Sequence, residues 1–349
     1  MPAQKNYIVE PALPASRVWV GTEGGQTEVY VGQVAEFGAP RKVYFDATKE
    51  FVSLIIGKRG SGKSFCLGSM LEGLCTVKDE TSISRITTRR GVLLLDPMGN
   101  FWTSIFPVRG DGPPRVREQW KIFDGWGISS EEVNVVAWIP AGYKRDTDHP
   151  SIKEFHVEVA DLDAADWADI LGTNLMREPQ GILLGEAIDA VRDEGWVDLD
   201  GRKRAPKPRY ALQDVIEYLE TVRATIVNGH NADHAAQTCR ALLRDFRGFG
   251  RLPLFAGGAT PLTEIIREGQ FSILMLPSRV GHDLRRVLTR LLIRRILRER
   301  EEASDSKSAR STVADRHRRA SAVGATAGYV DTTHSPGHRR GPGVGRRRG

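Results

Sequence analysis

The sequence has few cysteines and no long apolar run. Its 349 residues include only three cysteines, Cys66, Cys75 and Cys239. Their odd number and the lack of a Cys-x-x-Cys spacing argue against a disulfide framework and a structural zinc site, so reduced and mostly buried thiols are expected. No run of about 18 apolar residues is present, and residues 1–6 are not followed by an apolar signal segment. We therefore expect a cytoplasmic protein without membrane insertion.

Most of the chain also lacks an excess of charge of one sign. The formal net charge is +6, but residues 301–349 contain 10 Lys or Arg and 5 Asp or Glu, whereas the first 300 residues contain 40 basic and 39 acidic residues. Because the body of the chain is nearly neutral, its bulk charge does not identify a partner. A hydrophobic content of 40% over this length permits a substantial core.

A glycine-rich loop is the most specific motif that the sequence contains. It has the pattern Gly-x4-Gly-Lys-Ser of a phosphate-binding P-loop, and it lies between an expected buried strand at 51–56 and an expected helix at 65–75. Glycines allow the backbone to turn its N–H groups toward a phosphate at the start of the helix. Lys63 is then expected to contact the β- and γ-phosphates, and Ser64 the Mg²⁺. The predicted nucleotide-binding residues are Gly57, Lys58, Arg59, Gly60, Ser61, Gly62, Lys63, Ser64 and Phe65.

Strand and helix patterns alternate along the chain, which is typical of an α/β protein with a parallel sheet. An apolar run at 91–96 ends in Asp96 and completes a strand-helix-strand unit with the P-loop. Helical patterns at 164–175, 182–191, 212–222 and 234–249 indicate an insertion, and another helix is expected at 283–300. The expected strands are 17–20, 28–34, 42–45, 51–56, 91–96, 119–123, 133–139 and 271–276.

These patterns divide the chain into five segments. We expect a β-rich N-terminal segment at 1–48, the first part of a P-loop ATPase core at 49–160, a helical insertion at 161–258, a returning strand and helix at 259–303, and a disordered Arg/Gly-rich tail at 304–349. After residue 300 the sequence has no Leu, Ile, Met, Phe or Trp, so this tail cannot form a core. Its basic end either binds nucleic-acid phosphates or is a tail without function.

Arginines accumulate on two of the expected helices. Arg240, Arg244 and Arg247 lie together on the last insertion helix, where they either serve DNA or a neighbouring subunit's phosphate or form an ordinary solvated face. The helix at 283–300 has an apolar side for packing against the sheet and arginines on its other sides. A basic amphipathic helix of this kind also occurs at membrane surfaces and on DNA.

The P-loop together with the segment VLLLDPMGN at 92–100 resembles HerA-type ATPases of the HerA/FtsK superfamily. The β-rich N-terminal segment, the insertion ending near Arg244, and the segment 262–270 that leads into the strand at 271–276 follow the same order. The resemblance implies a RecA-like fold, ATP and Mg²⁺ as cofactors, and a homo-oligomer such as a hexameric ring. It also implies double-stranded DNA as the translocated partner, sometimes beside a partner nuclease, and a trans arginine for which Arg240, Arg244 and Arg247 are the candidates.

One part of the family pattern is missing from this sequence. Members of the family continue after the last helix into a Walker B strand that ends in Asp-Glu, but this chain contains no run of four apolar residues followed by Asp-Glu. Since hydrolysis requires a positioned water, ATP binding is better supported than ATP turnover, and no catalytic glutamate is identified beside Lys63. Asp96 either approaches Mg²⁺, directly or through water, or acts as a turn residue at the strand end.

Two other functions and one explanation of the missing strand remain open. Lys58 lies five residues before Lys63, as in the ParA/MinD group of ATP-dependent dimerisation switches, although Arg59 replaces the glycine expected there. The chain could instead be a non-hydrolysing regulatory module that ATP orders on binding. The change of composition near residue 302 also suggests a slipped reading frame, a hypothesis that fails if no other frame of the gene encodes an apolar run followed by Asp-Glu.

Overall fold

The computed structural model of the chain describes residues 7–8, 17–21, 25–34, 41–76, 78, 81–87, 89–130, 133–144, 148–226, 232–310 and 322–325. The strands in this part are β1 (Tyr7–Ile8), β2 (Arg17–Val20), β3 (Thr27–Val34), β4 (Arg41–Asp46), β5 (Ser84–Ile86), β6 (Gly91–Asp96), β7 (Val135–Pro140), β8 (Ile152–Phe155), β9 (Trp196–Val197), β10 (Lys203–Arg204), β11 (Phe271–Met275) and β12 (Ala322–Ala325). The α-helices are α1 (Lys63–Leu74), α2 (Pro114–Gly125), α3 (Ala164–Leu171), α4 (Pro179–Asp189), α5 (Leu212–Ile226), α6 (Ala232–Phe249), α7 (Leu262–Ile265) and α8 (His282–Arg310).

The N-terminal strands form a sheet of their own. Its order is β1-β2-β4-β3-β5, with β3 antiparallel to both β4 and β5. The three strands expected in this region are present with bounds that differ by no more than one residue. β5 also joins this sheet, although the sequence analysis did not predict it. The sheet packs on the first helix of the core, since Val29 of β3 lies against α1 in one hydrophobic cluster.

A parallel sheet forms the centre of the molecule and confirms the predicted α/β class. β6, β11, β7 and β8 lie side by side in that order, all parallel, and β12 extends the sheet along the outer edge of β6. Successive side chains of each strand point to opposite faces. Val92 and Leu94 therefore pack with α1 on one face, whereas Leu93 packs with the helical insertion and α8 on the other. The P-loop helix and the insertion consequently occupy different sides of the sheet.

The central strand β11 is fixed by buried polar contacts as well as by apolar packing. Ser272 is fully buried and accepts hydrogen bonds from the indole of Trp138 at 3.3 Å and from the side-chain amide of Gln270 at 2.7 Å. Its hydroxyl donates to the carbonyl of Ile265, at the end of α7. A buried hydroxyl without partners is costly, so these contacts favour one register of β11.

The expected strand at 51–56 is not formed, which corrects the sequence analysis. These residues have no regular secondary structure, and they pair with no other strand in the described part of the chain. The side chains of Val52, Leu54 and Ile56 are 101%, 72% and 82% exposed. β-branched apolar residues favour a strand when a neighbour pairs the backbone and covers one face. The outer edge of β6 is paired with β12 rather than with this segment, so residues 51–56 have no partner among the described strands.

The expected strand at 119–123 is also wrong, because this segment lies within helix α2. Pro114 occupies the first turn of α2, where its fixed φ favours helix initiation. The helix buries none of its residues, and Trp120 and Ile122 are exposed. Because apolar and polar residues alternate here, the sequence has the pattern of a half-buried strand. The structure forms a helix instead, and these apolar side chains face none of the described sheets.

The last helix extends further than the sequence pattern indicated. α8 ends at Arg310, ten residues beyond the expected end, so it includes the first residues of the proposed tail. β12 lies in the same proposed tail and pairs with β6 through backbone hydrogen bonds, which an open strand edge offers to any extended segment. The remainder of the tail, including its basic end, lies outside the described residues. The division of the chain into five segments remains a prediction.

Ion pairs connect the insertion to α8. Asp166 is fully buried near the start of α3 and binds Arg290 and Arg294 of α8, the latter at 3.2 Å. Burial opposes the charge of Arg290, but the hydrogen bond and charge of Asp166, together with the neighbouring carboxylates, outweigh it and raise the pKa of Arg290. The paired carboxylates are the N-cap residue Asp163 with Asp166 and Asp169 of α3, and their partners on α8 are Arg286, Arg290 and Arg294. Arg295 of α8 also lies 3.9 Å from Asp161, just before α3. These arginines are therefore used within the molecule.

The exposure of the segment before the P-loop yields a stability prediction. Leu54→Ala should change the free energy of unfolding by no more than about 0.5 kcal/mol, as for other surface positions. Leu94→Ala should cost about 2–5 kcal/mol, because Leu94 is 1% exposed and its removal leaves a core cavity. Urea unfolding followed by circular dichroism measures both values. A loss of similar size in the two variants would contradict the exposed position of residues 51–56.

Candidate nucleotide-binding site

The glycine-rich loop has the backbone geometry that its sequence requires. Gly60 and Gly62 have φ angles of +81° and +84°, in the left-handed region that glycine adopts without strain. A Cβ atom on Gly57 would lie 2.3 Å from the hydroxyl oxygen of Ser61, so only glycine fits there while Ser61 keeps its position. The amide of Ser61 donates to the carbonyl of Lys58 at 3.2 Å and closes the turn. The loop thus forms a cradle in which side chains at the glycine positions would strain the backbone or displace Ser61.

The glycine-rich loop ends at the N-terminus of α1. The N-cap of this helix is Gly62, which has no side chain to cap the first amides, and the first turn contains no acidic residue. The first N–H groups of a helix have no partner within the helix, and together with the helix dipole they favour an anion. A phosphate at this position would accept hydrogen bonds that the protein's own side chains do not supply.

Lys63 and Ser64 occupy the first two positions of α1. The ammonium group of Lys63 donates to the carbonyl oxygen of Lys58 at 2.8 Å, so the side chain lies back over the loop. Ser64 is exposed at the same helix end, as are Lys58, Arg59 and Phe65. The structure therefore brings the predicted phosphate and metal groups together on one exposed surface.

The carboxylate of Asp96 is hydrogen-bonded to the loop that follows β6. Its side chain is 2% exposed, and its two oxygens accept backbone N–H groups of Gly99 and Phe101, both at 2.8 Å. The ring of Phe101 in turn faces α1, because a Cβ atom on Gly68 would lie 3.5 Å from it. Asp96 thereby fixes a loop that packs on the P-loop helix. This geometry supports the turn role of Asp96 more than the metal role.

The arginines of the insertion lie on the other side of the sheet from α1. Arg240, Arg244 and Arg247 line one groove of about 500 Å³ on α6. Arg223 of α5 and Arg251 line the same groove, although neither was among the residues predicted from the sequence. Arg251 continues the helical spacing of the other three and was recognisable from it, whereas the approach of Arg223 depends on how α5 packs against α6.

The thiols are free in the structure, as expected. Cys66 is exposed, and Cys75 and Cys239 are buried. Burial raises the pKa of Cys75 well above its usual range, so this thiol stays protonated and inert. Among the described residues no three His, Cys, Asp or Glu side chains are grouped as metal ligands.

The chain matches the family model described as the central domain of helicase HerA, DUF87, over residues 29–299. It belongs to the HerA central-domain family. The HerA match begins in β3 and ends in α8, so it includes the P-loop, the Asp96 loop, the whole insertion and β11. It confirms the resemblance drawn from the P-loop and the VLLLDPMGN segment. No curated protein sequence matches the chain at a significant level.

Membership of the HerA family places the chain among HerA/FtsK-like P-loop ATPases. ATP binding and ATPase activity are properties of that family, and the parallel sheet agrees with a RecA-like P-loop fold. Each helix in the described ranges is either too short or insufficiently apolar to cross a membrane.

The site predicts the effect of removing the P-loop lysine. Lys63→Ala should weaken ATP binding at least tenfold, because it removes a charged donor to the phosphates, about 1.5–3 kcal/mol for such a hydrogen bond. Lys121→Ala on the exposed helix α2 removes an equal charge and should leave the affinity unchanged. Equilibrium titration with a fluorescent ATP analogue compares the two. Equal affinity of the Lys63→Ala variant and the parent protein would show that nucleotide binds elsewhere.

Proposed function

We propose that the chain is the ATP- and Mg²⁺-binding subunit of a DNA-translocating motor of the HerA/FtsK type. The observation that carries the proposal is the P-loop cradle at the N-terminus of α1, within a region that matches the HerA central domain. The amides at the start of α1 and the ammonium of Lys63 bind the phosphates. The proposed nucleotide-binding residues are those of the loop, 57–64, followed by Phe65.

The residues at the start of α1 also fit a metal ion bound with the nucleotide. A Mg²⁺ ion held there with the nucleotide would supply positive charge that offsets the charge of the phosphates. Ser64 is exposed beside Lys63 and is the proposed ligand, since hydroxyl oxygen suits this ion. Asp96 already accepts two backbone N–H groups, so any contribution from it is through water.

Double-stranded DNA and a ring of identical subunits complete the proposal. Both follow from membership of the HerA family rather than from a contact within this chain. In a ring, an arginine of one subunit can stabilise charge on the nucleotide of the next, and Arg240, Arg244 and Arg247 remain the candidates. A partner nuclease is proposed on the same family grounds.

A second candidate function is a non-hydrolysing regulatory module of the same fold. The sequence lacks an apolar run followed by Asp-Glu, and the carboxylate at the end of β6 is occupied by its own loop. Without a base or orienting group for water, bound ATP would stabilise the domain as a ligand without rapid turnover. The ParA/MinD alternative is disfavoured by the HerA match and by the four insertion helices α3 to α6.

One experiment separates these functions. ATP hydrolysis is measured with and without double-stranded DNA, together with the particle mass in the presence of ATP. The motor predicts a ring whose turnover rises at least severalfold with DNA and is abolished by Lys63→Ala. Tight ATP binding without turnover would instead establish the regulatory module, and an ATP-dependent dimer the switch. Failure to bind ATP at all would overturn the P-loop assignment.

A further inference from the structure

A groove on the insertion concentrates positive charge. It is formed where α6 packs beside α5, and it has a volume of about 500 Å³. Among the described residues that line it, none is acidic and none is aromatic. Its charged lining consists of Arg223, Arg240, Arg244, Arg247 and Arg251. We refer to these residues as the arginine groove.

Nearby carboxylates neutralise only part of this charge. Arg247 pairs with Glu220 at 2.6 Å, and Arg244 pairs with its sequence neighbour Asp245 at 3.0 Å. The other three groove arginines, Arg223, Arg240 and Arg251, form no ion pair with any described acidic side chain. Like charges one helical turn apart repel each other, so the groove carries an electrostatic cost that a bound anion would relieve.

The arginines are not needed for the packing of α6. The buried face of this helix includes Cys239, Leu242, Leu243 and Phe246, of which none is more than 1% exposed. All five arginines are exposed instead. The cluster of charge therefore has no explanation in the core of the insertion.

The chemistry and the spacing of the groove arginines fit an extended polymer of phosphates. Guanidinium groups bind phosphate oxygens in a bidentate manner. At a rise of about 1.5 Å per residue, Arg240 to Arg247 span roughly 10 Å along α6. Phosphates of a B-DNA strand follow each other every 3.4 Å or so along the axis, so the row matches about three nucleotides. The described lining residues offer no aromatic ring on which unpaired bases could stack, which favours a duplex over a single strand.

We propose that the arginine groove binds the phosphate backbone of double-stranded DNA, without reading its sequence. This inference rests on the proposed motor function, because it names the surface through which that function contacts its polymer. The competing use of the groove is contact with the nucleotide of a second copy of the chain. That use is the trans-arginine role considered above, and it requires only one or two guanidinium groups near a compact triphosphate. The groove instead has four arginines at helical spacing from Arg240 to Arg251, with Arg223 of α5 beside them.

The test is the salt dependence of DNA binding by the full chain. Fluorescence anisotropy with a random-sequence 30-base-pair duplex (about three turns) gives the affinity at a series of salt concentrations. The Arg240→Gln/Arg251→Gln variant should bind at least tenfold more weakly at low salt. Its slope of log affinity against log salt should be smaller by about 2, one for each lost phosphate contact. The matched control is Arg115→Gln/Arg117→Gln on the exposed helix α2, with the same charge change and an unchanged slope.

ATP binding and particle mass are measured for each variant, so that the two proposals fail separately. A groove variant that binds ATP but keeps the parent's DNA affinity and slope overturns the groove inference and leaves the motor proposal standing. A variant that keeps the DNA slope but loses ATP turnover or ring assembly also overturns it, because the groove then serves a neighbouring subunit. A parent chain that binds no ATP overturns the proposed function, whatever the slopes are. Unchanged thermal unfolding of the variants establishes that their folds are intact.

Discussion

The rest of the structure depends on the position of β11 between β6 and β7, two strands that lie more than 130 residues earlier in the sequence. The indole of Trp138 reaches Ser272 across 134 residues to hold this arrangement. Because β11 fills the middle of the parallel sheet, the chain must leave after β8 and return, and the insertion packs on one face while α1 packs on the other. The carboxyl ends of parallel strands share one edge, where ligands bind in open α/β sheets. The loop held by Asp96 lies at that edge.

Two rows of arginine with similar helical spacing have different surroundings in this fold. On α8, Arg286, Arg290 and Arg294 face carboxylates of α3, including the fully buried Asp166, and tie the insertion to the core. On α6, the arginines are exposed and only partly paired. The two rows differ in the number of carboxylates that the tertiary structure places beside them, and not in the spacing of the arginines on their helices. The first row stabilises the fold, whereas the second remains available to an external anion.

Local patterns in the sequence predicted the structure well where a single segment determines the outcome. The loop at 57–64, the strand at 91–96 and the buried face of α6 agree with their patterns, because glycine conformation and apolar periodicity act over a few residues. The segment 51–56 failed because a strand needs a neighbour, and its pattern carries no information about one. The position of Arg223 could not be predicted for a similar reason, because it reaches the groove only through the packing of α5 on α6.

The proposals for nucleotide binding and for nucleotide hydrolysis rest on different parts of the chain. The glycines of the loop, Lys63 and the start of α1 have the geometry of the proposed nucleotide site, whereas no strand in the described ranges ends in Asp-Glu. The most direct test of the central claim is amide hydrogen exchange of the full chain, with and without saturating ATP and Mg²⁺. The account predicts slower exchange in residues 60–66 and unchanged exchange in α2. Unchanged exchange in residues 60–66, with nucleotide demonstrably bound, would contradict it.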